Sequence, residues 1–373
     1  MELKVERDEA AGGAASSTGD GGRPVLTRRE HQITNGLATW MLVGLLVDGW
    51  AHRTQDLHDS ITTKYHALLY TGFLSFAAWL VWLYYREHRA SGRTGAEAMP
   101  EGYAAGLLGV IIFGTGAFFD QFWHLAWGIE QDLNSFFSPT HWCLAIGMFL
   151  MVSCAWRAGA LLENPEQQGI RQFAPWLWSI VLTATMTSFF ISYLNLFASD
   201  LPTVEPDFLR RLPPETADRF NYFTIERLRS LGVASIILTT GTLMSVAFHA
   251  IRRWRLPFGT FTLTFGVATG SMLATWEFFH GWTIIAALVG GLTADVLIAR
   301  WDPKPSDLGT FRRFAAAVPA VMWAAYYGIL KLFYAVEWPA ELWTGSITMA
   351  ALTSLIVCYL MEPGRLAVKG GVR

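Results

Sequence analysis

Two short stretches set an aspartate one helical turn ahead of a histidine inside otherwise apolar sequence. They are DGWAH (Asp48 to His52) and, 72 residues later, DQFWH (Asp120 to His124). Each is followed by a polar loop and a further histidine that opens the next apolar run, His66 in the first case and His141 in the second. Residues four apart on a helix share a face, about 5–6 Å apart at Cβ. A histidine at the start of an adjacent antiparallel helix closes the third corner. One carboxylate and two imidazoles suit copper, zinc, nickel or iron, and the same set is the non-haem Fe(II) triad. The ligand types alone do not choose among these metals. A single pair of this kind reads equally well as a hydrated helix end; the same order of groups occurring twice, as an internal repeat, points to two metal sites.

Other polar residues lie near these units. Glu130 and Asp132, between the second-unit histidines, are placed to orient His124 or His141 by hydrogen bond, or to be solvated loop acids. Glu277 and His280, in TWEFFHGW, offer a further ligand or an orienting partner; beside Trp276 and Trp282 they also read as an interfacial pair in an aromatic belt. Asp56, His58 and Asp59 form a polar knot in the first loop, and Asp295 reads as an ion-pair partner of Arg300. Cys143, Cys154 and Cys358 sit in apolar runs without zinc-type spacing and read as buried small hydrophobes.

The elements that must position these groups are membrane-grade. The 373 residues are 52% hydrophobic and 16% charged, against roughly 25% charged in soluble domains. A net charge of -2 excludes a basic nucleic-acid binder. Residues 1–29, rich in Gly, Ala and Ser, read as a disordered tail without the apolar core of a signal peptide. Beyond it, windows of about 20 apolar residues predict an all-α, polytopic membrane protein of about ten spans. The expected limits are 33–52, 66–86, 103–128, 139–161, 173–198, 228–251, 257–279, 281–299, 314–335 and 341–361. Residues 30–165 form the doubled metal-site unit and 166–373 a C-terminal helical region. Arginine and lysine gather on alternate connections, which by the positive-inside rule puts both termini in the cytoplasm and both Asp-His sets at the outer face of the cell membrane. A short helix on the outer surface is expected to start at PPETADRF (213–220).

Over about residues 30–165 the chain resembles the C subunit of the copper membrane monooxygenases (particulate methane and ammonia monooxygenases). The likeness rests on Asp48, Gly49, His52, Thr63 and His66 and on Asp120, His124, Glu130, Phe137, Pro139, His141 and Trp142. Lys64 stands where that subunit has proline, and Asp120 where it has asparagine. The resemblance implies two copper sites, Asp48/His52/His66 and Asp120/His124/His141, in a membrane protein that oxygenates a small apolar substrate with further membrane subunits; a homo-oligomer in membrane lipid is the other expected assembly. Two other readings use the same ligands: a transport or handling protein for copper or another divalent metal, and a zinc-dependent membrane hydrolase. No residue is assigned a catalytic role on sequence alone.

Overall fold

The computed structural model describes residues 23–55, 63–128, 132–161, 170–203 and 214–361. Among these it is all-helical, without strands. The eleven α-helices are α1 (Arg28–Thr54), α2 (Lys64–Ser91), α3 (Ala104–Trp127), α4 (Pro139–Val152), α5 (Cys154–Ala160), α6 (Ile170–Phe190), α7 (Pro214–Arg253), α8 (Thr260–Thr275), α9 (Ile284–Trp301), α10 (Leu308–Phe333) and α11 (Ala340–Leu360).

Seven helices among the described residues are long and apolar enough to cross a membrane, or eight if the bent pair α4–α5 is one span. Two of the ten expected spans fall short for different reasons. The 27 residues of α1 are long enough, but Glu30, His31, Asn35, Asp48, His52 and Arg53 dilute their apolarity. α8 has only 16 residues, below the roughly 20 that span a bilayer. The other limits shift modestly, except that α7 runs back to Pro214, so the separate surface helix expected there is the first turns of one 40-residue helix.

The fourth expected span is bent by 47° between α4 and α5. The cause is a side chain inserted into the helical ladder. Trp156 N–H would ordinarily bond Val152 O, but the Ser179 hydroxyl of α6 stands between them, accepting from Trp156 N at 3.0 Å and donating to Val152 O at 2.6 Å. Ser153 Oγ also donates back to Phe149 O at 2.6 Å, which favours bending.

Helices α1 and α2 form one hairpin and α3 and α4 another, and α1 packs on α4 while α2 packs on α3. Close approach depends on glycine at matched places. A Cβ on Gly44 would lie 2.6 Å from Leu69 Cα, and one on Gly72 2.7 Å from Met41 Cα. In the second hairpin a Cβ on Gly116 would lie 2.7 Å from Cys143 Cβ, and one on Gly147 2.6 Å from Phe113 N. Gly44 and Gly116 each precede the aspartate by four residues; Gly72 and Gly147 each follow the second-helix histidine by six.

A single large core runs through both hairpins and the C-terminal helices, with Phe76, Tyr103, Phe113, Phe248, Phe261, Trp323 and Tyr326 fully enclosed. At one end of the bundle, arginines tie helix termini together. Arg86 pairs with Glu30, Arg157 donates to Gly102 O, and Arg252 donates to Met361 O. The Asp-His sets lie at the opposite end. Asp295, expected to pair with Arg300, instead caps the N-terminus of α8. It accepts from Phe261 N at 3.0 Å and from Thr262 N and Oγ1 at 2.9 and 2.7 Å. The backbone donors left open at a helix start, and the positive end of the helix dipole, stabilise a buried carboxylate there. All three cysteines are free, two of them buried and Cys143 partly so.

Candidate metal centre

Each hairpin carries its three groups in the same way. The aspartate and the first histidine leave the last turns of α1 or α3 on one face. The second histidine occupies the first turn of α2 or α4, held there by an N-cap hydroxyl. Thr63 Oγ1 accepts from His66 N at 3.1 Å, and Ser138 Oγ accepts from His141 N at 3.2 Å. A serine or threonine at this position fills one of the open donors of the helix start, and here it also fixes where the imidazole begins. Pro139 at the first helical position presets that turn in α4.

In the first group His52 Nε2 lies 3.8 Å and His66 Nε2 3.4 Å from Asp48 Oδ2, with the two Nε2 atoms 3.3 Å apart. In the second, His124 Nε2 lies 3.1 Å from Asp120 Oδ2 and His141 Nε2 3.6 Å from Asp120 Oδ1. In both groups the candidate ligand atoms all lie within 4.8 Å of one another. Nitrogen and oxygen ligands about 2.0–2.1 Å from a tetrahedral metal stand about 3.3 Å apart, so both triangles have the size of a metal site. Two further observations fit a cation. Asp48 Oδ1 is buried and has no hydrogen-bond partner among the described residues. In the second group His124 Nδ1 and His141 Nδ1 face the carbonyls of Gly128 and Ser135 at 3.3 and 2.5 Å. A carbonyl only accepts, so each Nδ1 donates its N–H; in the neutral imidazole Nε2 is then the lone-pair atom, turned to Asp120. That tautomer is the ligating one.

The two groups are neighbours. Helix α1, which carries Asp48 and His52, packs on α4, which carries His141. Tyr70 follows His66 by one turn of α2, its ring 6.2 Å from that imidazole. Beside Asp48, Gly49 leaves room for the Phe189 ring of α6, which a Cβ would approach to 2.6 Å. Phe189 belongs to a small apolar cluster with Ala198 and Met272, flanked by Phe136 and Trp276.

Of the other candidates, Glu130, Asp56, His58 and Asp59 lie outside the described residues. Glu277 and His280 belong to neither three-ligand group. They line a separate cavity of about 320 Å³ together with Arg53, Phe197, Ser199, Asp200, Trp276 and Phe279. His280 is buried, with Nε2 3.0 Å from Thr203 Oγ1 and Nδ1 3.4 Å from Ser199 O. Burial lowers its pKa below the ordinary histidine value; the Ser199 carbonyl and the Asp200 charge act in the other direction. Just before it, Glu277 and Phe278 take φ of 53° and 55°. Non-glycine residues in this left-handed region cost of order 1–3 kcal/mol each.

Sequence reasoning did not reach Thr140, whose Oγ1 donates to Asp120 Oδ1 at 2.5 Å. It also missed Arg53, whose Nε and one Nη donate to Thr275 O at 3.0 and 2.7 Å with the guanidinium stacked on Trp276. The Thr140 hydroxyl, next to a histidine in the first turn of an apolar run, was a readable sign; the Arg53 partner is 222 residues away and left none. The chain matches no family model, no curated protein and no solved structure.

Proposed function

We propose that this chain is a membrane metalloprotein with two adjacent one-aspartate, two-histidine centres, and that it acts as a copper-dependent oxygenase-like protein on a small apolar substrate. The observation that carries the metal reading is the pair of matched triangles, Asp48/His52/His66 and Asp120/His124/His141, with ligand-atom separations of metal-site size. The matched glycines and N-cap hydroxyls support an internal repeat in which α1–α2 and α3–α4 are two copies of one unit. Copper is favoured over iron and zinc by the likeness of residues 30–165 to the copper monooxygenase C subunit, which rests on motif residues alone.

The orientation supports the same reading. With the arginine-tied end of the bundle in the cytoplasm, the termini lie there too and both triangles sit at the outer edge of the bilayer. On this orientation α1 and the shorter α8 would complete ten passes: α1 runs from the Glu30–Arg86 pair to Arg53, which meets the last turn of α8. Bound copper would supply the oxygen chemistry. The chain's own residues orient it: the Gly128 and Ser135 carbonyls hold two imidazoles in the ligating tautomer, and Thr140 holds the carboxylate. The apolar cluster around Phe189 keeps water from the buried side of Asp48. An apolar substrate would reach this depth by partitioning into the membrane.

The test is turnover of small alkanes in membranes containing the parent or His66→Ala, with copper content measured beside it. The proposal expects loss of turnover together with part of the copper. Unchanged turnover removes the oxygenase reading; retained zinc-dependent ester or amide hydrolysis would put the hydrolase in its place.

A further inference from the structure

The cavity between the outer end of α1 and the segment joining α8 to α9 has no part in the metal reading. Its lining includes three exposed charges, the cation of Arg53 and the carboxylates of Asp200 and Glu277. Arg53 has no carboxylate within ion-pair distance among the described residues, and neither carboxylate has a cationic partner there. Arg53 is also fixed. Its Nε and Nη2 each donate to Thr275 O and its Cζ lies 4.5 Å from the Trp276 ring centroid, which leaves the Nη1 hydrogens and the second Nη2 hydrogen for a ligand. Phe197, Trp276 and Phe279 supply aromatic walls. His280 is held by Thr203 and Ser199 as part of the frame.

Opposed charges in one concavity that do not neutralise each other suit a dipolar ligand. An arginine fork takes phosphate or carboxylate. A primary ammonium can donate to Asp200 and Glu277 while resting on aromatic faces. A divalent cation is disfavoured by the guanidinium in the same space. The volume, about 320 Å³, is at the small end of ligand pockets, which run roughly 300–1,000 Å³. The surroundings indicate where the ligand comes from. Phe279, 62% exposed, is both a wall of the cavity and, with Phe278 and Trp282, part of an exposed aromatic rim at a helix end. A tryptophan so placed, here Trp282, marks the membrane–water interface. The cavity therefore opens at headgroup depth.

The geometry points to a binding site for a primary ammonium–phosphate dipole, the phosphoethanolamine group, with Arg53 taking the phosphate and Asp200 and Glu277 the ammonium. A lipid headgroup and a free phosphoethanolamine share this chemistry. The test uses the purified full-length chain. Lipid retention is measured by native mass spectrometry after exposure to phosphatidylethanolamine, phosphatidylcholine or phosphatidylglycerol, with soluble phosphoethanolamine as competitor. The expected result is at least tenfold preference for phosphatidylethanolamine over both others, since choline has no N–H and glycerol no ammonium. That preference should vanish in Asp200→Asn/Glu277→Gln, and phosphate-bearing ligands should be lost from Arg53→Gln. Competition by the soluble compound at similar concentration would assign the site to a solute; failure to compete would assign it to lipid; both support the dipole site. Equal retention of the three lipids without binding of the soluble compound, or a preference that survives the double variant, overturns it. Thermal unfolding of each variant checks that the fold is intact. None of the three residues belongs to a metal triangle, so metal content reports separately on the proposed function.

Discussion

The two triangles are built from the same residue types on matched hairpins, yet their surroundings differ. Asp120 is held by the Thr140 hydroxyl, and both imidazoles of its group are oriented by backbone carbonyls. Tyr65 occupies the corresponding first-turn position of α2, and its hydroxyl turns away to Gln55 at 2.9 Å. Asp48 Oδ1 is consequently left without a hydrogen-bond partner among the described residues. The His52 side chain is 38% exposed where His124 is 13% exposed. The difference teaches that the ligand set and its support are separable. On the proposed metal reading the second triangle is preorganised, whereas in the first a cation would complete the aspartate. We therefore expect the Asp120 centre to bind metal more tightly.

The largest effects should come from the ligands themselves. His141→Ala is expected to weaken the tight binding phase by 100-fold or more, and His66→Ala to abolish only the weaker phase, both read by metal titration of the purified chain. If His66→Ala removed the tight phase instead, the ranking of the two centres would be reversed.

Next come the helix contacts that set the triangles. Gly44→Ala and Gly116→Ala should each destabilise the fold by up to about 2 kcal/mol, the roughly 1–3 kcal/mol of overpacking less the ~1 kcal/mol that alanine gains over glycine in a helix. The added methyl would meet Leu69 Cα in one hairpin and Cys143 Cβ in the other. Since each glycine lies one turn before its aspartate, metal affinity should fall at that centre and hold at its counterpart. Thermal unfolding and metal titration of each variant check this.

The supporting groups give smaller and more selective effects. Thr140→Ala should weaken the Asp120 centre by roughly tenfold, within the range for groups that orient metal ligands, and leave the Asp48 centre unchanged. Tyr65→Thr, which offers a hydroxyl at the matched position, should strengthen the Asp48 centre a few-fold. Equal effects of Thr140→Ala on both centres would mean that this hydroxyl acts on the fold and not on its carboxylate.

The least direct effect is on the metal-free protein. Asp120→Ala removes a carboxylate with hydrogen-bond partners and should cost about 1–3 kcal/mol by leaving those partners open. Asp48→Ala, which removes an oxygen without a partner, should cost less. Chemical denaturation of the chelator-treated protein compares them.

The six triangle residues were legible because helical spacing puts Asp48 with His52 and Asp120 with His124 on single faces, and an antiparallel return brings His66 and His141 beside them. Most helices were legible for the same local reason, as apolar runs of spanning length. What could not be read depends on partners distant in sequence. Ser179 breaks the fourth span from 23 residues beyond Trp156, and Asp295 caps α8 from 34 residues beyond Phe261. The Arg53 cavity draws on three segments whose proximity no local pattern encodes. α1 shows a further limit: the polar residues that form its part of the triangle are among those that lower its apolarity as a span.

Metal content tests the central claim most directly. Copper per chain is measured in gently purified parent protein and in His52→Ala/His124→Ala, which removes one imidazole from each triangle. Two centres predict two coppers per chain in the parent and their loss in the double variant. An unchanged content in the variant, or a parent that takes up no copper when it is supplied, would contradict the account.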